Sequence, residues 1–217
     1  MASPATVPPP ADRPVPTVGF DLDMTLVDTR PGIHATYRAL AEETGIRIDA
    51  DLAVSRLGPP LEQELAHWFP EAAIEETAVR YRELYRQMAI EPSRALPGAR
   101  ESLAAVREQG GRTLVVTAKS QPLAALHLSY LDLEPDALVG GLWAEAKALA
   151  LREHGAGVYV GDHLADVRGA RAAGALAVSV PSGPCSADEL RAEGADVLLD
   201  DLAAFPEWFG RHARGAA

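Results

Sequence analysis

The chain has 217 residues, 47% of them hydrophobic and 6% aromatic, and carries a formal net charge of −11. That length buries a sizeable core and suits one domain, or one domain with an insertion, while the acidic balance speaks against a nucleic-acid or anionic-membrane surface, since either needs a basic patch. The single cysteine, Cys185, excludes an internal disulfide and a thiolate zinc cluster and points to the cytoplasm, and no apolar run approaches the roughly 20 residues that cross a bilayer.

Residues 1–14 are rich in Pro, Ala and Val but lack a basic start and a continuous apolar core, so they read as a disordered tail and not as a signal peptide. The apolar run 15–18 then leads into Gly19-Phe20-Asp21-Leu22-Asp23-Met24-Thr25. Such a run predicts a buried strand that delivers carboxylates to its C-terminal edge, where open parallel sheets bind ligands. On an extended strand Asp21 and Asp23 point the same way. Two like charges in one small site require a cation or a shared proton; the competing reading is an Asp-rich turn. Thr29-Arg30-Pro31-Gly32 breaks the pattern, and 33–44 reads as a helix stopped by Gly45. Helical spacing continues over 51–57, 61–69 and 71–90, punctuated by Gly58-Pro59-Pro60 and Pro70. No strand is expected between Thr29 and Ala95.

From Pro97-Gly98 onward helices and short apolar strands alternate. The pattern predicts a helix over 99–109, a strand over 112–117, a helix over 122–131, a strand over 137–139 and a helix over 143–154. A strand through 158–160 into Gly161-Asp162, a helix over 165–173, a strand over 176–180, a helix over 187–193, a strand over 196–199 and a terminal amphipathic helix follow. This rhythm implies an α/β fold, a doubly wound parallel sheet with helices on both faces. The helical block near residues 30–95 is then an insertion after the first strand.

Three of these strands end in polar residues at the ligand-binding edge: Asp21 and Asp23, then Thr117, then Asp162 with Asp166 four residues later. Of the 20 basic residues only Lys119 and Lys147 are lysines, and a compact ammonium in an Arg-rich chain suggests a specific task. Hard carboxylate oxygens without His or Cys partners suit Mg²⁺ better than Zn²⁺.

Asp21-x-Asp23-x-Thr25, Thr117, Lys147 and Gly161-Asp162-x-x-x-Asp166, in that order, resemble the four motifs of the haloacid dehalogenase superfamily. Asp28-Thr29-Arg30-Pro31-Gly32, Leu57-Gly58-Pro59-Pro60-Leu61 and Leu96-Pro97-Gly98 are similar to its phosphoglycolate phosphatase-like members. The resemblance implies a Rossmannoid core over 15–29 and 96–217 with a helical, C1-type cap over 30–95. It implies a Mg²⁺-dependent phosphatase acting on a small phosphorylated metabolite. By the same resemblance Asp21 is the nucleophile and forms an aspartyl phosphate. Asp23 is the general acid and base, aided by a pKa raised by its acidic neighbours. Thr117 hydrogen-bonds a phosphoryl oxygen, and Lys147 neutralises charge on the transferring group. Asp21, Asp162 and the Asp23 backbone carbonyl hold the metal, Asp166 binds it through water or orients Lys147, and Thr25 supports the loop. Uncatalysed phosphate-monoester hydrolysis is slow enough to require accelerations of up to about 10²¹-fold, which makes this number of groups reasonable.

The chain departs from the pattern at two points. Lys147 lacks the Pro that commonly follows the motif-three lysine, so Lys119, directly beyond Thr117 in a Thr-x-Lys arrangement, competes for the role of active-site cation. Met24 stands where Gly is common. Arg56 is a candidate substrate contact from the cap, whereas Trp68, Phe69, Tyr81 and Tyr85 are expected to pack it. None of the six histidines has ligand spacing, with His163 placed at the site rim, and Cys185 is read as a buried or loop thiol. Asp23 disfavours a dehalogenase, and a cap without lysine disfavours a phosphonatase. A phosphomutase of the same superfamily remains an alternative, as does a non-catalytic phosphate-binding or phospho-acceptor regulatory protein. The expected state is a monomer or homodimer, with no nucleic-acid or membrane partner.

Overall fold

The computed structural model describes residues 16–215; the tail expected over 1–14 lies outside them. Six parallel strands form the central sheet: β1 (Thr17–Phe20), β4 (Arg112–Thr117), β5 (Ala137–Gly140), β6 (Ala156–Gly161), β7 (Leu176–Ser179) and β8 (Val197–Leu198), in the order β5-β4-β1-β6-β7-β8. Thr17 of β1 lies opposite Arg112 of β4 on one side and Ala156 of β6 on the other. The order therefore reverses direction at β1, which makes the crevice at its C-terminal end the topological switch point where doubly wound sheets bind ligands.

Alternation along the strands divides the core in two. Val18, Phe20, Val115, Val158 and Val160 face one layer with Leu103, Val106, Phe205 and Phe209 from α5 (Ala99–Glu108) and α10 (Phe205–Gly215). Leu114, Val116 and Tyr159 face the other, with Leu151, Val167 and Leu190 from α7 (Lys147–Glu153), α8 (Leu164–Ala173) and α9 (Ala187–Glu193). Gly19, on this second face, has no side chain to hold its neighbours off. A Cβ there would stand 2.8 Å from both Tyr159 Cδ2 and Leu151 Cδ2, so the bare backbone lets the tyrosine ring and the leucine approach β1 closely.

Between the two strands of the antiparallel pair β2 (Val27–Asp28) and β3 (Arg94–Ala95) the chain makes four helices, α1 (Arg30–Thr44), α2 (Ala50–Ser55), α3 (Leu61–Leu65) and α4 (Glu71–Met88). Gly45, at φ 68°, ends α1 as the sequence pattern anticipates, but the helix begins at Arg30 and not at 33, with Pro31, read as a break, seated in its first turn where a missing N–H costs nothing. The expectation of no strand before Ala95 misses β3, and β2 was also unforeseen. Two residues are too few to carry a period, and only pairing between the outgoing and returning chain creates these strands. The helices bury a third cluster that includes Tyr37, Leu40, Leu65, Tyr81, Leu84 and Tyr85, and Leu123 of α6 (Gln121–Tyr130) joins it from the core side.

Gly32 is where α1 meets the end of α4, for a Cβ at this position would fall on the carbonyl oxygen of Ala89. Backbone cannot yield as a side-chain tip does. Gly32→Ala is therefore expected to lower stability by about 1–3 kcal/mol, the cost of overpacking, despite the better helix propensity of Ala. Urea unfolding measures this; unchanged stability would mean that the helices do not pack this closely.

The helix expected over 143–154 is split. Trp143 is extended, Ala144 lies at φ 50°, and residues 144–146 form a short 3₁₀ turn before α7 begins at Lys147. Among the described residues no helix is long and apolar enough to cross a membrane.

Candidate active site

The strand β1 ends at Phe20, one residue before the first acid, and the Asp21 N–H donates to the Val160 carbonyl at 2.8 Å. A tight loop follows, in which the Leu26 and Val27 amides both donate to the Leu22 carbonyl. Asp21 thus follows directly on β1 and Asp23 stands in the loop beyond it, not on one extended strand, yet both line one cavity at the sheet's C-terminal edge with Thr117, Lys147, Asp162 and Asp166. Met24 adopts φ 61°, which explains why Gly is at home here; its side chain is buried, and its carbonyl accepts a hydrogen bond from Ser182 Oγ at 2.6 Å.

The two lysines do not compete for one place. Lys147, only 1% exposed, donates to Asp21 Oδ1 at 2.8 Å, to Asp166 Oδ1 at 2.7 Å and to Tyr159 Oη at 2.8 Å. Tyr159 in turn donates to the Val116 carbonyl at 2.7 Å. Lys119 lies 3.0 Å from Asp23 Oδ1 and 2.9 Å from Tyr85 Oη. Each aspartate has its own ammonium.

These different partners separate the two acids in the sense opposite to the sequence expectation for Asp23. Burial favours its neutral form, but Lys119, the Thr29 hydroxyl at 2.6 Å and His127 outweigh that, so its carboxyl falls below the ordinary value. Burial pushes Asp21 up, against the pull of Lys147 and with reinforcement from Asp166 and Asp23. Asp162 is raised by burial and by Asp166 and Asp21, although the Thr25 hydroxyl donates to its Oδ1 at 2.8 Å.

Asp166 occupies the third position of α8 and accepts from the His163 N–H at 3.1 Å, so the box that caps the helix also aims Asp166 at Lys147. Asp21, Asp162 and Asp166 each present a carboxylate oxygen within 4.8 Å of the other two, an arrangement able to hold a metal ion. Thr117 Oγ1 accepts from the Lys119 N–H at 3.2 Å and lines the cavity.

The helical segment supplies the facing wall. Arg56 reaches the cavity, but its guanidinium is held by Glu64, Nη2 to Oε1 at 2.6 Å and Nε to Oε2 at 3.2 Å. His163 lines the rim 5.0 Å from the Trp143 ring, and Cys185 is buried, which raises its thiol pKa. Sequence reasoning missed Tyr159, Tyr85 and His127. Tyr85, assigned to packing, bonds both Lys119 and, at 2.7 Å, His127 Nε2. Burial, together with Lys119, pushes His127 down to about 4. The only signal for Tyr159 was a lone aromatic within an otherwise aliphatic strand.

The solved structure of a haloacid dehalogenase-like family hydrolase from Streptococcus pneumoniae has this fold, with a TM-score of 0.79 at 23% identity over 90% of this chain and 98% of that one. A model of the haloacid dehalogenase-like hydrolases matches residues 15–174, and the chain belongs to that family of enzymes. It is 31% identical over 218 residues to a 5'-nucleotidase of Pseudomonas aeruginosa, an alignment spanning 91% of this chain and 96% of the relative. It is also 33% identical over 213 residues to a plasmid-borne phosphoglycolate phosphatase of Cupriavidus necator, spanning 89% and 92%.

Proposed function

We propose that the protein is a Mg²⁺-dependent phosphatase that hydrolyses a small phosphorylated metabolite through an aspartyl phosphate on Asp21. The observation that carries this reading is the position of Asp21 at the switch point of the sheet, its Oδ1 2.8 Å from Lys147, with Asp162 and Asp166 beside it. The phosphatase and nucleotidase names of the relatives support it.

The donor set fits a hard divalent cation. Three carboxylates crowd within 4.8 Å, and burial penalises the charge on Asp21 and Asp162 even with Lys147 present. Asp21, Asp162 and the Asp23 carbonyl would hold Mg²⁺, with Asp166 in support; the ion supplies positive charge to the phosphoryl oxygens. In the first step an Asp21 oxygen bonds to phosphorus as the ester P–O bond breaks, and Asp23, protonated for this step, hands its proton to the leaving alkoxide. In the second, water attacks phosphorus, its proton passes to the Asp23 carboxylate, and the Asp21–phosphoryl bond breaks to release phosphate. Lys119 favours the carboxylate form that this second step needs. Thr117 and Lys147 hold the transferring oxygens. The helical segment 30–95 acts as a cap that shields the leaving group, and the single cysteine suits a cytoplasmic setting.

The test is release of inorganic phosphate from p-nitrophenyl phosphate and a panel of phosphorylated metabolites. Activity is expected with Mg²⁺, lost on chelation with EDTA and restored by added Mg²⁺. Turnover indifferent to EDTA would remove the metal, and no phosphate release from any ester would remove the phosphatase.

A further inference from the structure

Every cation that lines the cavity, among the described residues, already holds a carboxylate. Lys147 is shared by Asp21 and Asp166, Lys119 lies against Asp23, Arg82 Nη2 is 2.5 Å from Glu62 Oε1, and Arg56 is gripped by Glu64 through two hydrogen bonds. The last pair is the one that matters for the far end of a substrate. Glu64 is the more deeply seated partner, its side chain 12% exposed against 33% for Arg56, and its Oε1 also accepts from Trp68 Nε1 at 3.1 Å. A fork-to-fork pair of this kind fixes the guanidinium in place. Apart from the Glu62–Arg82 pair, the rest of this wall is neutral and includes Tyr37 and Tyr81; the indole of Trp143 also lines the cavity.

We infer that the site selects phosphate monoesters whose leaving group carries no charge of its own, and that Glu64 enforces this by neutralising Arg56. The inference rests on the phosphatase reading and names its substrate class. A leaving group ending in a carboxylate or a second phosphate has two options. It either displaces Glu64 from Arg56 or lies beside a partly buried carboxylate, and both oppose binding. A hydroxyl or a flat ring meets hydroxyls and aromatic faces and displaces nothing.

The discriminating substrates are 2-hydroxyethyl phosphate and phosphoglycolate, which share a skeleton and differ in a terminal CH₂OH against COO⁻. The native enzyme is expected to favour the neutral ester in kcat/KM by about tenfold or more, the range of like-charge penalties at a partly buried site. Glu64→Gln keeps an acceptor for Trp68 but frees Arg56. It is expected to raise kcat/KM for phosphoglycolate about tenfold while the neutral ester changes little. Adding Arg56→Gln to that variant should abolish the gain. A native preference for phosphoglycolate overturns the inference whether or not the variants fold, and so does a folded Glu64→Gln enzyme with an unchanged ratio. Turnover of p-nitrophenyl phosphate in the same preparations separates the two levels. If it persists, only the substrate class has failed; if all three esters and the wider panel are inert, the phosphatase reading fails and this inference falls with it.

Discussion

Asp21→Asn is expected to cut phosphate release from p-nitrophenyl phosphate by at least about 10⁴-fold, the scale of loss when an enzyme's nucleophile is removed. Asn has the same shape and can still accept a hydrogen bond from Lys147, so positioning survives while the nucleophilic oxygen does not. The fold should be unharmed: burial already disfavours charge on Asp21, and an amide avoids that penalty. Mass spectrometry after an acid quench adds a second readout. The native enzyme should carry one phosphoryl group during turnover, and the variant none. Near-native turnover in the variant would eliminate Asp21 as the nucleophile.

The largest effect on stability is expected at Lys147. Its ammonium is 1% exposed and neutralises Asp21 and Asp166 at 2.8 and 2.7 Å, with Asp162 close by. Lys147→Met keeps the length of the side chain but leaves these carboxylates together without their resident cation. Breaking a buried pair in this way costs about 3–5 kcal/mol. The deficit should shrink as pH falls, because protonation of the raised carboxyls of Asp21 and Asp162 removes the repulsion, and grow as pH rises through their folded pKa values. Urea melts across that range measure the slope; a deficit independent of pH would assign the loss to packing. Activity should drop by about 10²–10³-fold, as when one preorganised donor to a developing charge is deleted.

What the sequence revealed depended on how local each signal was. The strand expected over 112–117 is β4 and the helix expected over 187–193 is α9, with the same bounds. The split before α7 was invisible, because Ala144 at φ 50° breaks a pattern that reads as continuous helix. The acids could be read from their spacing. Their counterions could not, since Lys147 meets Asp21 across 126 residues and only the fold decides which lysine meets which acid. The same gap explains the error over Asp23, where neighbouring acids in sequence suggested a raised pKa and Lys119 in space reverses it. Arg56 reads as a candidate substrate contact, and nothing in the sequence shows that Glu64, eight residues on, holds its guanidinium.

The missing side chain at Gly19 has a consequence for how this site can vary. Tyr159 reaches Lys147 by lying in the space a residue at position 19 would fill, with its ring carbon 2.8 Å from that absent Cβ. The two positions therefore form one unit of change, although they stand on different strands and only one touches the acids' counterion. A substitution at 19 acts on Lys147 at one remove, by pushing away the phenol that helps hold it. Directed evolution of this enzyme should find position 19 closed until 159 has changed and Leu151, the other neighbour of that space, has made room.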